Sequence, residues 1–537
     1  MSLRLESPPP AVRLVAATER PLDLAVAAAR SCVARGGLVL PEAVVPGDDA
    51  AARARRDALA RDLHRAGHHT VFQHPHFVFA IERVSRHAVW TFLHAHPFYN
   101  SEQVSQRYVA VREGAHVVPR LDDPAARELW LATVRAQHAA YRELVEILEP
   151  VAFALWARRW PARARRPERW RGTVRKKALE AARYVLPVAT WTRMLHTVSL
   201  LTLLRYRRLA RQADVPGELG ELVEAMWRAV LDVAPELEGI GEPPVDEAAV
   251  PELAALARAA GRDVPPGDPV AIAWDPARAR RFRERFDAGL GGRVSRLVDW
   301  SARAEETVAE AVREALGLTP ELLDDDAALA LLLDPAENPL RGEALNLDTL
   351  GRLTRALHHA HYTFRRRLSH AADSQDQRHR TTPASRPVLV AQVTDEPDVV
   401  VPALVREDDR AVRLFEETCA RTWDALGRLR ERGAPVEALV YLLPNAVAVR
   451  YTESADLAAL RHKHAMRLCL NAQEEIWHAS LEEARQVREV HPRLGRWLAP
   501  PCTLRRRAGR APYCPEGSRY CGVPAWRVPL EDLHRVL

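Results

Sequence analysis

The sequence predicts an α+β protein in which helices are in the majority, and three observations predict it. Apolar residues recur at three- and four-residue steps in "RELWLATVRAQHAAYRELVEILEPVAFALWARRW" and "AALRHKHAMRLCLNAQEEIWHASLEEARQVREV", the spacing of one face of a helix. Strand signals are few and short, the best being "HTVFQHPHFVFAIERV", where Phe77 and Phe79 alternate with smaller residues, and "RPVLVAQV" near residue 390. The chain also echoes itself. "YVLPVATWTRMLHTVSLLTLLRYRRLARQADVPGEL" runs from Tyr184 and "YLLPNAVAVRYTESADLAALRHKHAMRLCLNAQEEI" from Tyr441. Arg193 and Arg450 fall at the same offset from the proline, and Glu218 and Glu475 coincide farther on.

In chain order, residues 1–237 make a first domain. It holds the amphipathic "DALARDLHRAG", the aromatic strand, the apolar "VSRHAVWTFLHAHPFY" and then, abruptly, the polar "NSEQVSQRYV" at 100–109. Hydroxyl, amide, guanidinium and phenol groups in one short run suit the holding of a polar ligand. Residues 238–270, rich in Pro and Gly, read as a linker. Residues 271–500 make a second domain, and residues 501–537 a cysteine-containing tail.

The composition, 28 % charged and 47 % hydrophobic in 537 residues, is that of a globular protein of more than one domain. No run of about 18 apolar residues occurs. The start "MSLRLESPPPAVRL" has no signal-peptide core, so the expected location is cytoplasmic, with no membrane partner. Net charge is +6, carried mostly by arginine, which favours anionic ligands. No G-x-G-x-x-G or Walker sequence supports a Rossmann or P-loop site.

The segments "HTVFQHPHFVFAIERVSR", "NSEQVSQRYV", the two Leu-Pro blocks and Ala472-Gln473-Glu474-Glu475-Ile476 resemble the flavin-dependent thymidylate synthase family (the ThyX type). The resemblance implies two helix-rich α/β units in tandem, forming a pseudo-symmetric pair. It also implies an enzyme that methylates dUMP to dTMP with methylenetetrahydrofolate as carbon donor, reduced FAD as hydride source, and NADPH to regenerate it. Family sites are shared between subunits, so a homodimer of tandem chains acting as a pseudo-tetramer is expected.

Carried over residue by residue, the first half keeps the phosphate-cradling loop as Glu102, Gln103, Ser105, Gln106, Arg107 and Tyr108, and a phosphate arginine as Arg183. It has Ala210 where the base-activating arginine belongs. The second half keeps that catalytic arginine as Arg467, followed by Gln473, while Val440 replaces its phosphate arginine. Asp456 and Asn471 take flavin-contacting positions. The Arg-His-Arg signature that grips the flavin is read as replaced by His94, Ala95 and His96 in the first half and by Leu368, Ser369 and His370 in the second, making His96 and His370 the cofactor-side residues. Arg378-His379-Arg380 is read as lying too late for the signature, with Arg378 and Arg380 as substrate-side donors.

Three cysteines of the tail, Cys502, Cys514 and Cys521, are candidate ligands for zinc or an iron–sulfur group, with Cys469 or His491 as a fourth. Their spacing fits no standard ribbon or finger, and scattered thiols are the plainer reading. "WARRWPARARRPERWRGTVRKK" at 156–177 sets three tryptophans among arginines, a pattern seen in single-strand binders, but an exposed helix and loop with inward-packed rings is the plainer reading. Two alternatives to the enzyme therefore stand: a catalytically degenerate nucleotide-binding member of the same fold, and a nucleic-acid-binding protein.

Overall fold

The alternation at Phe77 and Phe79 becomes a strand, β2 (His76–Ser85), in which Phe77, Phe79 and Ile81 are fully buried and the residues between them are not. Each such side chain contributes roughly 1.5–3 kcal/mol on burial. The structure, a computed structural model, describes residues 3–95, 98–210, 216–241, 251–259, 274–343, 351–535 and 537. Most of the expected linker, including 242–250 and 260–270, lies outside these, as does His96. Among the described residues no helix is long and apolar enough to cross a membrane.

The chain divides into two compact units. Unit 1 gathers Met1–His138, Leu186–Asp275 and Arg421–Pro444; unit 2 gathers Ala139–Val185, Pro276–Ala420 and Asn445–Leu537. Each unit therefore draws on both sequence halves, and Tyr184 belongs to unit 2 while Tyr441 belongs to unit 1.

Unit 1 is built on an antiparallel sheet of order β1-β2-β4-β3, with β1 Ala11–Ala17, β3 Tyr99–Gln103 and β4 Trp191–Ser199. The helix Gly217–Leu231 packs on β1 and β2, burying Leu222 and Met226 with Phe77, Phe79 and Leu203 in one core. A bulge between Glu82 and Val84 places Arg83 at φ 57°, an extra residue that bends the end of β2.

Unit 2 repeats the plan with a three-stranded antiparallel sheet, β5 (Ser295–Trp300), β6 (His361–Ser369) and β7 (Ala448–Asp456). The helix Glu474–Val490 packs on β5 and β6. Tyr362, Phe364, Trp477 and Val487 share its core with Val308 and Val312. The strand expected at "RPVLVAQV" is instead a 3-10 turn, Leu389–Gln392. The physical reason lies in Gln392, whose side-chain amide accepts from Arg450 N–H at 2.9 Å and donates to Arg450 C=O at 2.8 Å. One amide thus pairs the edge of β7 where a strand would have done so.

Both units use the same joint between strand and helix. Ser85 ends β2 and its Oγ accepts Ala88 N–H at 2.9 Å, capping the helix Arg86–Ala95. Ser369 ends β6 and caps Ala372 N–H at 3.0 Å in the helix His370–Asp376. Ser199 and Asp456 cap the helices Leu200–Leu209 and Leu457–Arg467 in the same manner, at 3.2 and 2.8 Å.

Candidate functional site

Two of the capping serines, Ser85 and Ser369, are each held by a buried glutamate. In unit 1, Ser85 donates its N–H and O–H to Glu218 at 2.7 and 2.5 Å, and Tyr441 O–H donates to the same carboxylate at 3.0 Å. In unit 2, Ser369 donates both groups to Glu475 at 2.6 Å each, and Tyr184 O–H donates at 2.5 Å. The tyrosine of each Leu-Pro block thus serves the glutamate from the other sequence half. Burial pushes both carboxyls up, Glu218 to about 7, against the hydrogen bonds that favour their charged forms.

These serines fix a register that counting along the chain alone left open. Nine residues beyond Ser85 stand His94, Ala95 and His96; nine beyond Ser369 stand Arg378, His379 and Arg380. The Arg-His-Arg triplet therefore occupies in unit 2 the place that His94-Ala95-His96 occupies in the first half. Leu368 and Ser369, read from the sequence as signature positions, close β6. His370 opens the next helix, fully buried, with its N–H on Val447 C=O at 2.8 Å.

Around the triplet, unit 2 assembles a connected polar chain. Arg467 donates to Gln375 C=O at 2.8 Å, and its Nε lies 3.7 Å from Asp376. The Gln375 amide donates to the Gln473 side chain, and Gln473 donates to Tyr184 Oη at 2.5 Å. Arg183, buried, sits beside Tyr184 with its guanidinium carbon 6.0 Å from that ring. Asn445 tethers the Arg183 carbonyl at 3.1 Å. Arg183, Arg467 and Gln473, assigned from different halves of the sequence, thus belong to one unit. Gln375 and His379 belong to the run of donors read from the sequence as suited to an anion, and Tyr184 is the addition to which the sequence reading gave no role.

Beneath this chain lies a buried ionic network. Arg366 meets Asp376, and Glu453 and Glu483 at 3.2 and 3.0 Å; Lys463 meets Asp376 at 2.8 Å and also Glu453. Burial alone would raise the Asp376 carboxyl, but Arg366 and Lys463 overcome it and hold it well below the usual range. The same balance holds Glu483 down to about 2. Burial, reinforced by Arg467, keeps the His379 imidazole neutral, well below its ordinary value.

The model of the family described as "Thymidylate synthase complementing protein" matches residues 13–236 and 296–493. The chain belongs to that family. Its two matched segments fit a tandem duplication. The family is one of enzymes of the thymidylate synthase type. A flavin-dependent thymidylate synthase of Geobacter sulfurreducens is 32 % identical over 172 residues, 32 % of this chain and 71 % of that protein. Proteins of the same name from Mycobacterium avium and Clostridium tetani are 34 % and 29 % identical, over 32 % of this chain in each case and 63 % and 64 % of their own lengths. The chain thus spans just under two thirds of these last two.

The other residues singled out by the family resemblance are placed as follows. In unit 1 the loop after β3 turns at Ser105, whose Oγ accepts Arg107 N–H at 3.2 Å and whose C=O accepts the N–H of Tyr108 at 3.2 Å. Arg86 anchors it from the helix start, donating to Gln103 at 2.9 Å and Val104 C=O at 2.5 Å. Gln106 is buried, while Glu102 and Tyr108 are exposed. In unit 2, Arg378 and Arg380 are exposed. Asp456 spends one oxygen on its helix cap and the other on His358 at 2.8 Å. Asn471 donates to Arg519 C=O at 2.8 Å. An open pocket, lined by Tyr184, Gln473, Glu180, His478, Arg535 and Leu537, encloses a cavity of about 50 Å³.

The reading of Cys502, Cys514 and Cys521 as ligands for zinc or an iron–sulfur group finds no support: among the described residues no three of His, Cys, Asp or Glu are grouped so as to hold a metal ion. His491, one proposed fourth ligand, hydrogen-bonds Tyr362 at 3.0 Å instead. The tryptophans of 156–177 pack on one another, Trp156 against Trp160 and Trp170 at 5.8 and 5.6 Å, with Arg163 over Trp170. Their faces serve packing.

Proposed function

We propose that this family member carries out reductive methylation of dUMP to dTMP with methylenetetrahydrofolate, FAD and NADPH, and that unit 2 holds its catalytic arginine. The observation that supports this most is the gathering in unit 2 of Arg183, Arg467, Gln473 and a correctly registered Arg378-His379-Arg380. The donor set fits a flavin nucleotide: two exposed guanidinium groups flank a neutral imidazole, and guanidinium forks match pyrophosphate oxygens. When bound, reduced FAD would supply the hydride.

The chain's own residues would do the rest. Arg183 would clamp the nucleotide phosphate. Arg467 would place a positive charge beside the pyrimidine edge where negative charge develops. Gln375 and Gln473, joined side chain to side chain, would hold Arg467 in position through the Gln375 carbonyl. The loop Glu102–Tyr108 of unit 1 is proposed to cradle phosphate, as the family resemblance implies. The pseudo-symmetric pairing of the units, the domain limits and a homodimer belong to the same proposal.

A second reading, a nucleotide binder that no longer catalyses, is favoured by one observation. In unit 2 the stretch after Arg-His-Arg turns inward: Arg386 grips buried Asp373 at 2.8 and 2.9 Å, where the first half has its phosphate loop. One experiment separates the readings. Purified protein is assayed for bound flavin and for dTMP formation, with Arg467→Ala and Arg183→Ala alongside. The enzyme reading expects a flavin spectrum, turnover lowered about 100-fold or more by Arg467→Ala, and dUMP affinity lowered more than deoxyuridine affinity by Arg183→Ala. Protein that binds dUMP but neither takes up FAD nor turns over supports the second reading and overturns the first.

A further inference from the structure

One guanidinium of unit 2 reaches both elements that carry the candidate site. Arg535, its side chain 1 % exposed, donates from Nη1 to Ala472 C=O at 2.7 Å, and its Nη2 lies 3.9 Å from the Glu180 carboxylate. Ala472 precedes Gln473, whose side chain leads through Gln375 to Arg467. Glu180 lies in the last turn of the helix Pro167–Ala182, and its C=O accepts from Arg183 Nε at 3.3 Å. Arg535 is itself held in place. Leu530 and Leu533 bury in the core of unit 2, Arg485 donates to Glu531 C=O at 2.7 Å, and Arg535 Nε donates to Leu537 C=O at 2.7 Å. Unit 1 makes the corresponding joint without an arginine. Glu437 stands four residues before Tyr441, as Glu180 stands four before Tyr184. The Glu437 carboxylate accepts directly from the N–H of Gly217, which opens the helix Gly217–Leu231, at 2.6 Å. In unit 2 the matching glutamate faces Arg535, and the guanidinium carries the link on to Ala472, just ahead of the helix Glu474–Val490.

We propose that Arg535 is a positioning residue for the nucleotide site of unit 2: by joining Glu180 to Ala472 it fixes Arg183, the phosphate arginine, relative to the Gln473–Gln375 chain that holds Arg467. The inference rests on the reading of these residues as a dUMP site. A planar, permanently charged fork suits the task, because one guanidinium donates in two directions at a fixed angle, which the single rotating ammonium of lysine does not. The buried charge is offset by carboxylates on two sides. Glu180 lies on one, and Glu474 is near enough to respond to the charge on the other. Burial would raise the Glu474 carboxyl, but the hydrogen bond and charge of His478, with the charge of Arg535, hold it below its ordinary value. Arg535 lies beyond residue 493, where the family match ends. The matched part of the chain thus supplies the donors, and a residue outside it sets their spacing.

The test measures dUMP and deoxyuridine binding by calorimetry on the full chain, and turnover at saturating dUMP, for wild type, Arg535→Ala, Arg535→Lys and Arg485→Ala. Arg485→Ala removes another contact to the same segment and leaves the guanidinium of Arg535 in place, so it reads what loosening the segment alone does. Arg535→Ala is expected to weaken dUMP about tenfold and to lower turnover at saturating dUMP about tenfold, since small misplacements of positioned groups cost up to about 100-fold. Deoxyuridine, which has no phosphate for Arg183 to hold, should lose less affinity. Arg535→Lys should recover part of the loss, and Arg485→Ala should match wild type. An Arg535→Ala variant that binds dUMP as tightly as wild type overturns the proposal, and so does an Arg485→Ala variant as impaired as Arg535→Ala. Wild-type protein that binds no dUMP removes the dUMP reading and this inference together. Wild-type protein that binds dUMP while Arg535→Ala binds it equally well removes this inference alone.

Discussion

Five matching core positions are apolar or aromatic in unit 1 and ionised in unit 2. Unit 1 has Ile81, Phe92, His196, Tyr206 and Met226; unit 2 has Arg366, Asp376, Glu453, Lys463 and Glu483, and all ten are essentially inaccessible. The correspondence is set by the capping serines and by the strand pairs Ile81–Met194 and Arg366–Tyr451. In unit 1 the His196 ring stacks on Tyr206 at 5.8 Å, and Phe92 sets its edge against both at 5.3 Å. In unit 2 three cations, Arg366, Lys463 and Arg467, face three carboxylates, Asp376, Glu453 and Glu483. A buried ion network of this kind rarely stabilises more than apolar packing would. It lies under Arg467 and the turn that carries Arg-His-Arg. Unit 1 has Ala210 and no such triplet, and there the same positions are packed with rings. The charged core thus accompanies Arg467, holding Asp376 as a fixed anion beneath it.

The largest effect tests whether that network is balanced. Arg366→Ile alone places the unit 1 residue at this position and leaves three carboxylates facing two cations. It is expected to cost unit 2 about 3–5 kcal/mol, read as lost hydrogen-exchange protection of β6 and β7. The fivefold exchange Arg366→Ile, Asp376→Phe, Glu453→His, Lys463→Tyr and Glu483→Met should recover most of that loss, because charge and countercharge leave together. A fivefold variant as unstable as the single one would show that unit 2 packs differently from unit 1 and would break the comparison.

Sequence carried the fold class and the aromatic strand, because these follow from local periodicity. It did not carry the register of Arg378-His379-Arg380. That register depends on which serine caps the helix, and the serine is identified by a glutamate about a hundred residues on. Nor did it show that Gln392 would pair the edge of β7, since a β-branched run followed by glutamine reads as a strand until its partner is known. The convergence of Arg535 on Ala472 and Glu180 is likewise tertiary, joining positions far apart in the chain.

The second effect is a pH dependence opposite in sign at two buried glutamates. Glu218 of unit 1 is raised from 4.5 to about 7, chiefly by burial, so the folded state binds a proton that the unfolded state has released. Stability therefore falls as pH rises from about 4.5 to 7, by up to about 3 kcal/mol. Glu483 of unit 2 is lowered to about 2, so its contribution is present above 4.5 and is lost as pH falls toward 2. Glu218→Gln should flatten the loss between pH 4.5 and 7 in exchange-protection profiles of β2 and β4 while leaving the acid-side loss in β6 and β7. An unchanged profile in β2 and β4 would mean that Ser85 and Tyr441 hold Glu218 ionised.

The smallest effect sharpens the comparison at a single pair, His196 and Glu453. His196 is fully buried among Phe92, Tyr99 and Tyr206, and neither ring nitrogen has a hydrogen-bond partner among the described residues. Burial lowers it from 6.5 to about 3, so the ring is neutral in the fold. The unfolded chain takes up a proton between those values and the fold does not, so stability is lost as pH falls from about 6.5 to 3. His196→Phe keeps the stacked ring and removes two unsatisfied nitrogens. It should gain about 1 kcal/mol at pH 7 and more at pH 5, measured by exchange protection of β4. Glu453→Phe in unit 2 should do the reverse, since it leaves Lys463 and Arg366 short of a carboxylate. If His196→Phe instead weakened β4 at pH 7, the imidazole would be serving as a polar group in unit 1, and the contrast of a ring-packed core with an ionic one would fail at its central position.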